Sequence, residues 1–461
     1  MRVSGRDATA RPDVRGGRSA ESSPRPARGM LWIGLLYLML WGGYNTDYGR
    51  LSEPGFPRNA LDLFHGLRAL FPIVAGWLAI LTLLARGGGL RRRTFEGSLG
   101  LLALYALIGI LSSLFISREP LMGLYWGVQY ASVILVLWVS LSEEDSLSRI
   151  VRLIKLNWII AALLATVLLG LIWLDPDVTL KVSGTMVVRS HGGGGRGSEE
   201  IFGMASTRST GVARYAAIAG LAAFTRLMEG SAVSRIAWLL VFILSVFGLV
   251  TLQARTALIA FLAGSFLILW LHRSSRALSF VWVPLAGLLL AVTGSYGAFW
   301  SYVTRGKVFD PTLTGRTGTW ALGWPLLKES PWLGWGFQAD RIYLAGQHMH
   351  NALLQALVQT GLLGTIAFVA GIVTAWIVLV RLYLAPRLPG IAPLPIEIPA
   401  VLAFVTIASI TESTVAFFGS VWLLVAPLLA YTQALNWQRR MVTEANGRTL
   451  LTRVRSAQSS Q

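Results

Sequence analysis

Residues 348–364 read HMHNALLQALVQTGLLG, and the apolar run that begins here continues to Val380. The run is long enough to cross the hydrocarbon core of a bilayer as a helix, at 1.5 Å per residue. The sequence therefore predicts a transmembrane helix with His348, His350 and Asn351 at its mouth, where the membrane meets water. Imidazole ordinarily titrates near neutral pH, so a hydrated histidine at this place is a candidate general base.

The composition of the chain is that of a polytopic membrane protein. Of its 461 residues, 54% are hydrophobic and 13% are charged, whereas soluble domains carry about 25% charged residues. The sequence has no cysteine, which excludes disulfides and thiolate metal sites or nucleophiles. A net charge of +18 would suggest nucleic acid as the partner of a soluble protein. In a membrane protein most of this excess follows from topology instead, so we expect membrane lipids and no nucleic acid.

Apolar runs of similar length recur along the whole chain. They predict an all-α polytopic membrane protein with about 12 transmembrane helices. Between the last two runs, Thr411–Thr414 can form either a loop that joins two helices or a break inside the membrane. The predicted spans are 30–47, 68–85, 98–116, 121–141, 156–174, 209–226, 236–253, 256–271, 279–299, 349–380, 397–412 and 415–436.

These spans divide the chain into five parts. We predict a disordered basic tail at 1–29 and transmembrane helices one to nine at 30–299. A long loop follows at 300–348, then helices ten to twelve at 349–436 and a second tail at 437–461. The first span is interpreted as an uncleaved helix, because no small-residue cleavage site follows it.

Basic residues in short connections predict the orientation. Arg91–Arg93, the basic residues of 149–155, and Arg273 with Arg276 share one side of the membrane if the amino terminus is inside. Cytoplasmic connections are enriched in lysine and arginine, so this orientation is favoured. It places the stretch 175–214 and the loop 300–348 on the outer face of the membrane.

Arginines on the predicted outer face suggest an anion site. Arginine pairs with a diphosphate through two parallel hydrogen bonds, which lysine cannot match. If the helices behind these arginines meet, the guanidinium groups could bind a lipid diphosphate and stabilise it as a leaving group, while His350 takes a proton from an acceptor hydroxyl. The alternative to an anion site is a purely structural role for these residues. The arginine side chains would then extend to the lipid headgroups, and the histidine would cap a helix. The candidate arginines are Arg189, Arg208, Arg214, Arg255 and Arg316, and His348 is a further candidate for substrate contact.

Acidic residues on the outer side are scattered and lack the spacing of a divalent-metal site, so we expect neither a metal nor a cofactor. Glu412 stands apart from them, near membrane level. It either pairs with a buried arginine or lines a break in the helix.

The pattern resembles the O-antigen ligase and O-antigen polymerase-like membrane glycosyltransferases. Their signature of His-Asn, nine residues and Gly-x-x-Gly is matched by His350-Asn351, Ala352–Thr360 and Gly361 to Gly364, preceded by the long outer loop. Further similarities are Gly315-Arg316 with Trp320, the sequence PWLGWG at 331–336, Arg255 before a small-residue apolar helix, and Arg208-Ser-Thr-Gly211.

One segment departs from the family. Where relatives often have Asn-Pro-Asn after that glycine, this chain has Ala213-Arg214-Tyr215. Arg214 can therefore share or replace the role that the resemblance gives to Arg208, and Arg189 competes for the same role.

The resemblance implies a GT-C-like fold and a metal-independent, inverting transfer of a glycan from undecaprenyl diphosphate to an acceptor hydroxyl, such as one of lipid A–core, at the periplasmic face. In this reading His350 is catalytic and the arginines bind the donor diphosphate. A polysaccharide polymerase or a protein O-oligosaccharyltransferase would use the same chemistry, and the sequence does not separate them. A transporter of lipid-linked glycans ranks below these, since only Glu412 is a candidate mid-membrane charge. We also expect Gly361 and Gly364 to let a neighbouring helix pack closely.

Overall fold

The structure, a computed structural model, describes residues 27–44, 55–57, 60–86, 95–143, 145–174, 178–180, 186–188, 209–229, 232–252, 254–272, 316–344, 346–386, 388–389 and 391–459. The predicted span 279–299 lies outside them, as do Arg189, Arg208, the first part of the long loop and the tail up to residue 26.

The described chain is helical apart from one antiparallel hairpin of β1 (Val178–Leu180) and β2 (Met186–Val188). Every predicted span within the described residues coincides at least in part with a helix. The helices are α1 (Ala27–Gly42), α2 (Ala60–Arg68), α3 (Phe71–Ala85), α4 (Ser98–Phe115), α5 (Pro120–Leu141), α6 (Ser146–Leu174), α7 (Ser209–Glu229), α8 (Ala232–Thr251), α9 (Arg255–Leu271), α10 (Arg316–Glu329), α11 (Ala339–Tyr343), α12 (Ala352–Leu384), α13 (Glu397–Ala408) and α14 (Ser420–Ser459).

By length and composition, five helical stretches of the described residues can each cross a membrane: Gly66–Ala85, Ser98–Phe115, Pro120–Leu141, Ser146–Gly170 and Ala352–Leu384. The described residues also contain shorter apolar helices. In helices of both kinds many large apolar side chains, such as Trp77, Leu240 and Ile366, are exposed on the outside of the bundle. An outward apolar surface suits contact with lipid, because a helix satisfies its backbone hydrogen bonds internally. The protein is a multi-pass membrane protein.

The interior of the bundle is aromatic and aliphatic. α4 packs along α12, α7 along α8, and α9 along α13. At the centre, Tyr130 of α5 stacks on Trp422 of α14 with ring centroids 4.6 Å apart, and both side chains are buried. Tyr105 of α4 contacts the Tyr130 ring edge-on at 5.6 Å.

The connection 409–419 joins the end of α13 to the start of α14 and lies beside the start of α12. The backbone N–H of Ala352, at the start of α12, donates to the carbonyl of Ser409, at 2.9 Å. At the other end of the bundle, Arg439 of α14 donates to the carbonyl of Leu382 near the end of α12, also at 2.9 Å. α13 and α14 therefore run antiparallel, and of the two alternatives for Thr411–Thr414 the structure shows a connection between two helices. This connection is largely buried.

Helix α12 is broken at Gly361, which has φ 57° and ψ −160°. The segment 331–336 lies in the break and replaces the lost helical hydrogen bonds. Trp335 and Gly336 donate to the carbonyls of Val358 and Gln359, and Leu362 donates to the carbonyl of Pro331, at 2.8–2.9 Å. The close neighbour of Gly361 is thus a loop, and the expectation of a neighbouring helix at this glycine was wrong. At Gly364 the nearest group is the side chain of Thr360, in the same helix.

Candidate active site

His350 is the last residue before the cap of α12, and its backbone is held on both sides. Its φ of +48° lies in the left-handed region, which histidine tolerates better than most residues. On one side the indole Nε1 of Trp320 donates to the Met349 carbonyl at 2.6 Å. On the other, the Asn351 side chain accepts from Leu354 N and donates to the Ile410 carbonyl, each at 2.9 Å. These contacts hold the backbone from which the imidazole projects.

The imidazole faces a carboxylate of the 409–419 connection. Nδ1 of His350 lies 3.6 Å from Oε2 of Glu412, and the His350 side chain is 28% exposed. The other oxygen of Glu412, Oε1, accepts from Arg316 Nη2 at 3.0 Å. Glu412 therefore pairs with an arginine, the first of the two alternatives that the sequence left open.

Glu412 remains ionised in this environment. Burial by itself would raise its pKa, but the close contact with His350 and the positive charges of Arg214 and Arg316 outweigh burial and lower the pKa to about 2. A fixed negative charge next to Nδ1 favours the tautomer that carries the Nδ1 proton and leaves Nε2 free to accept one.

The structure brings together four of the basic residues that the sequence selected. Arg214 lies in the second turn of α7, near enough to Glu412 to act on its charge. Arg255 is the first residue of α9, and the next residue, Thr256, shares a 2.8 Å hydrogen bond with Thr411. Arg316 and His350 complete the group. Arg189 and Arg208 lie outside the described residues.

His348 is paired with a second carboxylate. Its Nδ1 lies 3.8 Å from Oδ2 of Asp340, and its ring centroid is 5.6 Å from that of His350. Asp340 is buried, which raises its pKa although Gln355 donates a hydrogen bond to it at 2.7 Å. The same carboxylate accepts from Met349 N at 3.2 Å, so Asp340 also holds the backbone next to His350.

The roles of Asp340 and Trp320 in holding the backbone beside His350, and the identity of the arginine that pairs with Glu412, were not predicted from the sequence. A lone acid between two apolar runs marks Glu412 as a functional candidate. Its partner Arg316 lies 96 residues earlier, and nothing in the sequence pattern connects the two. Among the described residues, no three His, Asp or Glu side chains are grouped as a metal site would require.

This arrangement can perform acid–base chemistry beside an anion. A carboxylate-oriented imidazole accepts a proton, and clustered guanidinium groups bind and stabilise a diphosphate. Because the group lies where four helix ends and the 409–419 connection meet, a substrate can reach it from the end of the bundle.

Comparison with known proteins supports a polysaccharide-related membrane enzyme. Residues 240–369 match the O-antigen ligase family. The exopolysaccharide production protein ExoQ of Rhizobium meliloti is 32% identical over 156 residues, which cover 29% of this chain and 36% of that protein. The family match contains Arg255 and the motif from His350 to Gly364. Residues 240–369 of this chain are O-antigen ligase-like, and the family resemblance indicated by the histidine motif is confirmed.

Proposed function

We propose that the protein is a membrane glycosyltransferase of the O-antigen ligase type. It transfers a glycan from undecaprenyl diphosphate to an acceptor hydroxyl, such as one of lipid A–core, at the periplasmic face of the bacterial inner membrane. The observation that supports this most directly is the Glu412 carboxylate, which lies 3.6 Å from Nδ1 of His350 and 3.0 Å from Arg316, with the Arg214 charge close by.

In the proposed reaction the acceptor oxygen attacks the anomeric carbon of the donor glycan. A bond forms between this oxygen and the anomeric carbon while the bond from that carbon to the diphosphate oxygen breaks, which inverts the configuration. The acceptor proton passes to Nε2 of His350, and the electron pair of the broken bond stays on undecaprenyl diphosphate. No metal is required by these steps.

Each residue of the candidate site has its own role in the proposed reaction. His350 is the general base, and Glu412 is a positioning residue that orients the imidazole and stabilises its protonated form. Arg255 and Arg214 stabilise the charge that develops on the leaving diphosphate. Arg208 and Arg189 stay candidates for the same role. Arg316 holds Glu412, and Arg316 and His348 are candidates for contact with the glycan.

A second candidate is an exopolysaccharide polymerase, in which the acceptor hydroxyl belongs to another lipid-linked glycan. The name of the similar protein ExoQ, which speaks of exopolysaccharide production, favours this acceptor. The donor, the base and the leaving group would be the same.

Purified full-length protein, supplied with undecaprenyl-diphosphate-linked glycan and an acceptor, tests the proposal. We expect His350→Ala and Arg255→Ala to lower the transfer rate by roughly 10²-fold or more, since general-base catalysis and charge stabilisation each contribute about that much. His272→Ala, at the opposite end of α9, is the matched control and should keep the wild-type rate. Released undecaprenyl diphosphate and the glycosylated product are both measured.

The acceptor distinguishes the two candidates in the same assay. Product on lipid A–core identifies a ligase, and product that lengthens a lipid-linked glycan identifies a polymerase. Near-normal transfer by His350→Ala with either acceptor would contradict the proposed base.

A further inference from the structure

A large cavity lies at the end of the bundle opposite His350. Its volume is about 1190 Å³, and it is a partly open cavity lined by the ends of α7, α9 and α12, the connection from α12 to α13, the start of α13, and parts of α6 and α14. α12 has 33 residues and leads from the candidate active site to this cavity, a distance of at most about 50 Å at 1.5 Å per residue. The basic connections of the chain predict that this end faces the cytoplasm.

The cavity wall combines hydrocarbon and charge. Leu271, Leu382 and Ile391 line it together with other aliphatic residues. Charged residues of both signs line it as well: Lys155, Arg226, Glu229, Glu397 and Arg439. A wall of this kind suits an amphiphile, whose apolar part and polar head need different surroundings.

Two of the basic side chains are already engaged within the protein. Arg226 donates to Oε1 of Glu397 at 2.8 Å. Arg439 donates to the carbonyls of Leu382 and Pro386. Lys155, in contrast, is exposed on α6 and forms no ion pair with any residue that the structure describes, so its ammonium can bind an anion.

The acidic side chains of the cavity wall have hydrogen-bonding capacity that the described part of the chain does not use. Glu397 is 3% exposed, and its Oε2 accepts no hydrogen bond from the described part of the chain. A buried carboxylate oxygen without a donor is costly, and a ligand donor would remove that cost. Glu229 adds a second carboxylate to the same wall and acts on Glu397 as a like charge. Of the three basic side chains in the wall, only Arg226 is paired with a carboxylate in the described part of the chain. The negative charge that remains on Glu229 and Glu397 favours a cationic donor over a hydroxyl.

We propose that this cavity binds phosphatidylethanolamine. Its ammonium group donates to Oε2 of Glu397 and offsets the charge of Glu229, its phosphate pairs with Lys155, and its acyl chains lie against the aliphatic wall. The site is separate from the glycan chemistry, since it lies at the other end of the bundle and involves none of the residues assigned to transfer.

Lipid competition on the purified, delipidated full-length protein tests this assignment. Native mass spectrometry is carried out with equimolar phosphatidylethanolamine, phosphatidylcholine and phosphatidylglycerol that carry the same acyl chains. Phosphatidylcholine is the decisive comparison, because its trimethylated ammonium keeps the charge but cannot donate a hydrogen bond. We expect phosphatidylethanolamine to bind about tenfold more tightly than either competitor, the effect of one charge-assisted hydrogen bond.

Single substitutions show which residues of the cavity bind phosphatidylethanolamine. Lys155→Ala and Glu229→Gln change exposed side chains and should each reduce phosphatidylethanolamine binding several-fold. Arg152→Ala changes an exposed side chain of the same helix that lies outside the cavity wall, and it should not reduce the binding. Glu397→Gln should abolish the preference over phosphatidylcholine, and the two exposed variants carry the test if this buried change prevents folding. Equal binding of the three lipids, a preference for phosphatidylglycerol, or an unchanged preference in both exposed variants would overturn the proposal. No glycan donor is present, so the outcome is independent of the proposed transferase activity.

Discussion

At the scale of single residues, Glu412 links the parts of the candidate site. It contacts His350 through one oxygen and Arg316 through the other, and Arg214 lies close to it. Removing a buried carboxylate from such a group leaves the guanidinium groups without their counter-charge, which costs more than a surface ion pair would.

The charge of Glu412 predicts how stability depends on pH. Its pKa in the folded protein, about 2, lies below the usual 4.5. The ionised carboxylate therefore stabilises the fold fully above pH 4.5, and this stabilisation, on the order of 3 kcal/mol, is lost as the pH falls from 4.5 towards 2. We expect wild-type protein in detergent to unfold at a higher temperature than Glu412→Gln at pH 7, and the difference to shrink by pH 3.5. A difference that stays constant over this range would show that the charge is unimportant.

Trp320 is expected to act on catalysis through the position of His350. Trp320→Phe keeps an aromatic ring, although a smaller one, but removes the hydrogen bond to the Met349 carbonyl, next to a residue with positive φ. Small displacements of a catalytic group are costly, so kcat should fall roughly ten- to a hundredfold with little change in KM. Trp376→Phe is the matched control: it also loses an indole hydrogen bond, to Thr406, but one that lies far along α12 from the histidine. Equal losses in the two variants would indicate a general structural effect.

At the scale of elements, the break in α12 brings the segment 331–336 to the candidate site. Gly361 and Gly334 approach each other so closely that a Cβ on Gly334 would lie 2.5 Å from the Gly361 nitrogen. The loop continues into α11, whose Asp340 holds the backbone beside His350. Gly361, in the second half of the histidine motif, thus accommodates the loop that leads to Asp340. Asp340 in turn positions His350, in the first half of the motif.

Gly361→Ala should disrupt this arrangement. A Cβ at this position would lie 2.3 Å from the Trp332 carbonyl carbon, and φ of +57° is unfavourable for alanine. We expect a loss of at least about 2 kcal/mol in stability, together with a loss of transfer activity. Gly170→Ala in α6, where a Cβ would meet nothing within 4 Å, should leave stability unchanged or slightly higher. Thermal unfolding in detergent compares the two, and a Gly361→Ala protein as stable as Gly170→Ala would refute the role of the break.

At the scale of the whole molecule, helix ends from distant parts of the chain converge on one face. The starts of α7, α9, α10 and α12 surround the 409–419 connection, while the opposite face carries the ion pair Arg226–Glu397. His348 and His350 both lie at the first of these ends, so the proposed transfer chemistry is assigned to one end of the bundle.

Because the sequence has no cysteine, single cysteines can report this orientation without further changes. Gly318→Cys, on exposed α10, should react with a membrane-impermeant thiol reagent in intact spheroplasts, since we place the candidate site outside. Met441→Cys, on α14 two residues after Arg439 at the opposite end of the bundle, should react only after the membrane is permeabilised. The reverse labelling pattern would place the His350 end in the cytoplasm and would contradict the proposed periplasmic reaction.

The sequence by itself determined what depends on local pattern. Apolar length and spacing gave the helices, since a segment in hydrocarbon must satisfy its backbone bonds internally. The spacing from His350 to Gly364 indicated the O-antigen ligase-like family. Only the tertiary structure decided which residues meet. Arg316 and Glu412 are 96 residues apart, and no periodicity relates residues on different helices. The structure likewise showed that Gly361 admits a loop, because a positive φ and a close backbone contact are features of the packed chain rather than of its local sequence.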